Sequence, residues 1–294
     1  MRTRKSSRLA IRSISIMSAG LIWLALTMGP ASAQGLSVSY SGIEHTVKPG
    51  DTVKGSVRVT NASDQPKKLV AYQGDWVRVA GQSSGYMFDI EGGKEARSSL
   101  KWTTYSPDQM LLQPGETRDV NCEIKCPDDA SLKGTYWSVI FVKVVPLEQP
   151  AKPPPTDKKM SVNITTEFRY AVQFFVTFEG TEIREANFSA MEFRQMEGGF
   201  DVIALFHNKG NTFLRPKVWL EIRNTSGETV YKQNHGPLPA LPDSSMRYVF
   251  KLRNLPIESG TYLVMVLADY GVPDITAAQV SVELKAQAGA PAPK

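Results

Sequence analysis

Residues 160–176 read MSVNITTEFRYAVQFFV, and this stretch decides the fold. At even positions stand Met160, Val162, Ile164, Thr166, Phe168, Tyr170, Val172, Phe174 and Val176, all apolar or aromatic except Thr166. Apart from Ala171 and Phe175, the odd positions are polar or charged. Side chains leave a strand on alternate faces, so a period of two held this long specifies a β-strand. Seventeen residues would extend roughly 55 Å, where a usual strand has about five or six residues. Two expectations follow. Either the strand is the core-facing strand of a β-sandwich, or part of it overhangs its own core and offers an apolar face to another chain.

Outward from this stretch the chain is β-rich. Apolar alternation predicts strands over 36–43, 52–61, 68–79, 86–90, 117–125 and 137–145, separated by turns such as Lys48-Pro49-Gly50-Asp51 and Pro114-Gly115-Glu116. The run 137–145 is apolar on both faces, as expected of a central, covered strand. Residues 146–159, PLEQPAKPPPTDKK, hold five prolines and cannot pair in a sheet, so they read as a long exposed loop feeding the opening strand. After Phe178-Glu179-Gly180-Thr181 the theme repeats, with strands over 200–208, 214–222, 246–252, 260–268 and 275–284.

The repetition is an internal duplication. Pro114 and Pro242 each precede a strand that leads to a Gly-Thr-Tyr, at Gly134 and Gly260, and then to a buried run. Each half carries a tryptophan on its third strand, Trp76 and Trp219. These are features of immunoglobulin-like sandwiches, in which the tyrosine hydroxyl ties down a corner. The fold class expected is all-β, two tandem immunoglobulin-like sandwiches. The divisions are a signal peptide over 1–33, domains over 34–178 and 179–285, and a disordered tail over 286–294. The short linker implies a boomerang of two lobes with a cleft between them.

Composition excludes several functions. Arg2, Arg4, Lys5, Arg8 and Arg12, an uncharged apolar run over 14–28 and Ala31-Ser32-Ala33 make a secretory leader. The chain's net charge of +5 comes from 34 basic and 29 acidic residues, and all five surplus cations lie in that leader. A neutral mature chain gives no argument for nucleic acid. No later stretch reaches about 18 apolar residues, so no membrane span is expected in the mature form, which should be periplasmic or at the cell surface. Cys122 and Cys126 share the apolar parity of one strand and would lie about 13 Å apart, too far to bridge. They read as small buried hydrophobes, with a strained local or an intermolecular disulfide as the alternatives. His45, His207 and His235 are scattered without metal-ligand spacing, and Asp128-Asp129 reads as a turn. No nucleophile elbow, HExxH or P-loop occurs. No enzyme activity, cofactor or metal is expected.

The segments LLQPGETRDVNCEIKCPDDASLKGTYWSVIFVKVVP (111–146) and NITTEFRYAVQFFV (163–176) resemble the first domain of bacterial periplasmic pilus-assembly chaperones. NKGNTFLRPKVWLEI (208–222) and SGTYLVMVLADYG (259–271) are similar to the second domain of such proteins. RSSLKWTTYSPDQMLLQPGE (97–116) also resembles immunoglobulin-like domains of WxL-type surface proteins. The chaperone resemblance implies a non-enzymatic protein that binds secreted or pilus-like subunits by donating a strand, with an outer-membrane assembly protein as a further candidate partner. Its donor positions fall on Val162, Ile164, Thr166 and Phe168. The family anchors its partner's terminal carboxylate with an Arg on the first strand and a Lys late on the donor strand. Here the first strand, LSVSYSGIE, has no Arg, the Lys position is Gln173, and Arg169 is the nearest basic substitute. The other reading is a structural or adhesive immunoglobulin-like module whose strand is wholly internal.

Overall fold

The computed structural model describes residues 35–78, 86–89, 92–145 and 168–285. Among the described residues seventeen strands form four sheets in two sandwiches. In the first lobe, β1 (Leu36–Ser41), β3 (Thr52–Asn61), β8 (Thr117–Lys125) and β6 (Thr103–Ser106) make one sheet in that order. The facing sheet runs β2 (Glu44–Val47), β10 (Arg169–Phe178), β9 (Gly134–Val145), β4 (Lys67–Arg78) and β5 (Tyr86–Asp89), with β7 (Gln109–Leu112) also on β4. The second lobe pairs β11 (Ala186–Met196), β12 (Gly199–Asn208) and β15 (Ser245–Arg253) against β14 (Thr229–Asn234), β13 (Lys217–Arg223), β16 (Gly260–Asp269) and β17 (Thr276–Leu284).

The period of two sorts β10 as expected. Val172, Phe174, Val176 and Phe178 enter the first lobe's intersheet core with Val57, Val59, Val120, Ile140 and Val142. β9 is central, flanked by β10 and β4, and this explains why both its faces are apolar.

Some expectations fall outside the described residues, and others need correction. The described strand begins at Arg169, and Val162, Ile164 and Thr166 lie outside the described residues. The strand expected over 36–43 ends at Ser41 as β1, which pairs β3, and an unexpected strand, β2, follows at Glu44–Val47 and pairs β10 in the other sheet. The chain changes sheets at Gly42, whose φ is +59° and where an added Cβ would crowd the Lys54 carbonyl at 2.5 Å. Four further strands, β6, β7, β11 and β14, have no counterpart in the sequence reading. β11 hides because its register slips between Phe188 and Ala190, which moves the apolar parity from Phe188 to Met191 and Phe193. The two tryptophans turn away from the intersheet cores. Trp76 is buried in an aromatic cluster on the outer face of its sheet, and the indole N–H of Trp219 donates to Glu221 at 2.9 Å.

The duplication is plainest at two buried asparagines at the ends of β3 and β12. Asn61 Nδ2 donates to the carbonyls of Gln65 (2.9 Å) and Leu112 (3.1 Å), while its Oδ1 accepts from the Ser63 N–H at 3.1 Å. Asn208 Nδ2 donates to Thr212 (2.9 Å), Ala240 (3.1 Å) and Leu241 (3.1 Å), and its Oδ1 accepts from the Gly210 N–H at 3.1 Å. Each side chain stitches its own turn to the segment that precedes Pro114 or Pro242. The tyrosine expectation holds in one half: Tyr262 Oη donates to the Glu258 carbonyl at 3.1 Å, whereas Tyr136 packs on Trp102 and Phe178.

Cys122 and Cys126 are free and buried in the first core. Burial pushes the Cys122 thiol from its ordinary 9.0 up to about 12 and, with the nearby Asp51 carboxylate contributing, that of Cys126 up to about 11. The fold favours the protonated thiol. Its contribution is complete below the ordinary value and is lost as pH rises from there through the raised values. Both thiols are expected to resist a disulfide exchange reagent at neutral pH and to react together only on unfolding, with stability falling above about pH 9. Replacing Asn208 by Ala strands buried carbonyls and is expected to cost about 2–4 kcal/mol in denaturant unfolding. Asp119→Ala, which cuts the exposed Arg58–Asp119 pair, should leave the denaturant midpoint close to that of the parent.

Candidate functional site

The outer edge of β10 is covered along half its length. β2 lies parallel to it from Phe175 to Phe178, and the Phe175 N–H donates to the Ile43 carbonyl at 2.7 Å. On the other side β9 pairs the whole strand. The Val144 N–H donates to the Phe168 carbonyl at 3.2 Å, so the even residues of β10 exchange their hydrogen bonds with β9. The backbone groups of Arg169, Ala171 and Gln173 therefore point to the side away from β9. Among the described residues no strand pairs with β10 there. Arg169 and Ala171 are exposed and Gln173 is half-buried.

The inner face beside this edge is apolar. Val172 is buried, and Tyr170 is half-buried with its hydroxyl 3.4 Å from the Leu36 carbonyl on β1. The outer face carries an aromatic layer: Tyr72 on β4 stacks on Phe141 of β9 at 4.9 Å between centroids, and Phe88 of β5 meets Phe141 edge-on at 5.2 Å. The Arg169 guanidinium lies 4.9 Å from the Phe141 centroid and 5.7 Å from that of Phe88, with Nη1 3.4 Å from the Tyr72 hydroxyl.

Of the residues expected at a partner site, the structure brings Arg169 and Gln173 to one face of β10, on its outward parity. Phe168 is half-buried and precedes the strand; Val162, Ile164 and Thr166 lie outside the described residues. Sequence reading missed Tyr72, Phe88, Phe141 and Ala171. Only pairing register shows that Tyr72, Phe141 and Ala171 form one row across three strands.

The lower half of the same face is sealed by the second lobe. Phe213 stacks on Phe175 with centroids 4.0 Å apart, and Trp76 meets Phe175 edge-on at 6.0 Å. Arg215 lies 4.9 Å over Phe213, and its Nε donates to Glu44 of β2 at 2.9 Å. Backbone bonds reinforce the junction: the Thr135 N–H donates to the Asn211 carbonyl at 2.9 Å, and the Phe213 N–H to Thr135 Oγ1 at 2.9 Å. Gly134 has φ +72°, and a Cβ there would collide with the Asn211 carbonyl, so glycine is required where the lobes touch. The lobes meet through packed rings and paired backbone. A small polar hollow remains between them, lined in part by His45, Thr177, Glu182 and Arg184. Among the described residues no group of three His, Cys, Asp or Glu is placed to hold a metal ion, and no helix is long and apolar enough to cross a membrane.

No family model matches the chain, and no curated protein does. Among solved structures the chain is similar to fimbrial periplasmic chaperones. One comes from a chaperone–tip adhesin complex of CFA/I fimbriae, at 14% identity over 86% of this chain and 100% of that one, with a TM-score of 0.39. Another is the E. coli chaperone DraB, at 14% identity over 85% and 98%, with a TM-score of 0.38. A third is in the CsuC–CsuE chaperone–tip subunit pre-assembly complex from the archaic Csu pili of Acinetobacter baumannii, at 11% identity over 85% and 99%, with a TM-score of 0.39.

The lobe junction makes a testable distinction. Phe213→Ala removes the ring stacked on Phe175 and is expected to destabilise the protein by about 2–4 kcal/mol in thermal or denaturant unfolding. Arg215→Ala breaks a pair whose partners are 44% and 45% exposed, and the expected loss is under about 1 kcal/mol.

Proposed function

We propose that this protein is a non-enzymatic, periplasmic, chaperone-like protein, with domains over 34–178 and 179–285, that binds secreted or pilus-like surface subunits by strand addition along β10. One observation carries the reading: three consecutive outward-facing backbone positions, Arg169, Ala171 and Gln173, stand without a strand beside them among the described residues. An extended segment placed there would pair with the main chain and set alternate side chains beside Tyr170 and Val172. Each added backbone hydrogen bond contributes about 0.5–1.5 kcal/mol, so the ladder supplies hold and the side chains supply choice. Val162, Ile164, Thr166 and Phe168 would prolong the same apolar parity toward the partner.

A second reading is a structural or adhesive immunoglobulin-like module. It is favoured by the absence of the family's basic anchor: Glu44 is the charged residue on β2, and Gln173 takes the late position on β10.

Ala171→Pro separates the two. The Ala171 N–H faces away from β9, so proline removes a donor from the open side and leaves the existing ladder intact. The variant is expected to keep a melting temperature near that of the parent and to lose partner recovery from periplasm. Ile164→Asp with Phe168→Asp should likewise abolish recovery in a folded protein. Full recovery with both folded variants would refute strand addition; unfolding of the first lobe by the Asp substitutions would favour the wholly internal strand.

A further inference from the structure

The second sandwich is open at one end. β11 and β17 are edge strands of its two sheets and lie side by side. Where both finish, beside the turn from β11 to β12, the sheets part around a cavity of about 410 Å³ lined by Gln195, Phe200, Ile257, Glu283, Leu284 and Lys285. Its floor is core: Phe200, Ile257 and Leu284 are 2%, 7% and 5% exposed. Its walls are pinned. The Phe193 ring stacks on Phe200 at 4.5 Å, the Gln195 amide donates to the Gly199 carbonyl at 2.9 Å, and the Glu283 carboxylate accepts from the Thr261 hydroxyl. Walls held in this way cannot collapse into the space, so the apolar lining lacks packing partners on its open side.

The chain itself leaves at this rim. Lys285 is the last described residue and lines the cavity, and AQAGAPAPK (286–294) follows it directly. That segment suits the space. Its alanines and prolines bury apolar surface at almost no cost in side-chain entropy. Proline also has no N–H to strand in an apolar hollow. Nine residues extend roughly 30 Å, far enough to turn back over a cavity at their own root. A short tether supplies an effective concentration on the order of a millimolar, so an affinity too weak to matter between molecules suffices within one.

We infer that the segment 286–294 docks in this cavity, with Pro291-Ala292-Pro293 against Phe200, Ile257 and Leu284, and closes the open end of the second lobe. Composition alone suggests disorder for the same residues; the cavity at the chain's exit is what argues otherwise. The inference is independent of strand addition along β10.

The test uses the full mature protein with isotope-labelled isoleucine methyl groups and reads the resonance of Ile257, which is distant in sequence from the segment. Deleting residues 286–294 should shift it. Pro291→Asp with Pro293→Asp in the full-length chain should shift it in the same direction, while Ile140 in the first core stays fixed. A synthetic peptide, Ala-Gln-Ala-Gly-Ala-Pro-Ala-Pro-Lys, added to the shortened protein should return it, with half of the return reached at a concentration on the order of a millimolar or below. An Ile257 resonance that is the same in the full and the shortened protein overturns the inference. A resonance that moves when the full protein is diluted also overturns it, by giving the cavity to the segment of a second copy. So does a peptide that needs concentrations far above a millimolar, because the tethered segment would then stand mostly undocked.

Discussion

The edge of β10 is divided at Phe175, and the rest of the molecule follows from that division. Below it, β2 saturates the outward backbone groups, and the Phe175 ring is clamped between Trp76 and Phe213. Above it, the same strand keeps its pairing with β9 and has no second neighbour among the described residues. A strand can be rigid and still offer hydrogen bonds only if one side is anchored and the other left open. The central position of β9 and the lobe junction supply that anchorage.

The second lobe acts here as a wall. Its loop over 209–215 caps the lower aromatic layer through Phe213, and Asn211 and Thr135 join the lobes by main-chain bonds. Ring stacking on the buried Phe175 and paired backbone resist separation better than the exposed Glu44–Arg215 bridge could alone. The two buried asparagines hold the end of one strand in each lobe to the turn beyond it, so both sandwiches keep their shape by the same device.

The sequence made a large part of this legible. Alternation in 169–178 fixed which side chains of β10 enter the core, and the double-sided apolar run of β9 marked it as central. Lys48-Pro49-Gly50-Asp51 and the Gly-Thr-Tyr repeats located turns and the duplication. It failed where alternation is broken or absent: the slipped register in β11, the short β6 and β7 around Pro107, and the exposed edge strand β14. The tryptophans misled because burial came from an outer aromatic cluster in one lobe and from a carboxylate and Lys232 in the other.

For the candidate site the division is sharper. By itself the sequence determined that β10 is a strand and that Arg169, Ala171 and Gln173 share its less apolar face. Only the tertiary structure decided that β2 covers half of this strand's edge, that Tyr72 and Phe141 form the bed beneath Arg169, and that Glu44 meets Arg215 across the lobes. The reason is physical: a period of two encodes which face a side chain takes, whereas the neighbour beside a strand is set by register between segments distant in the chain, as β2 and β10 are.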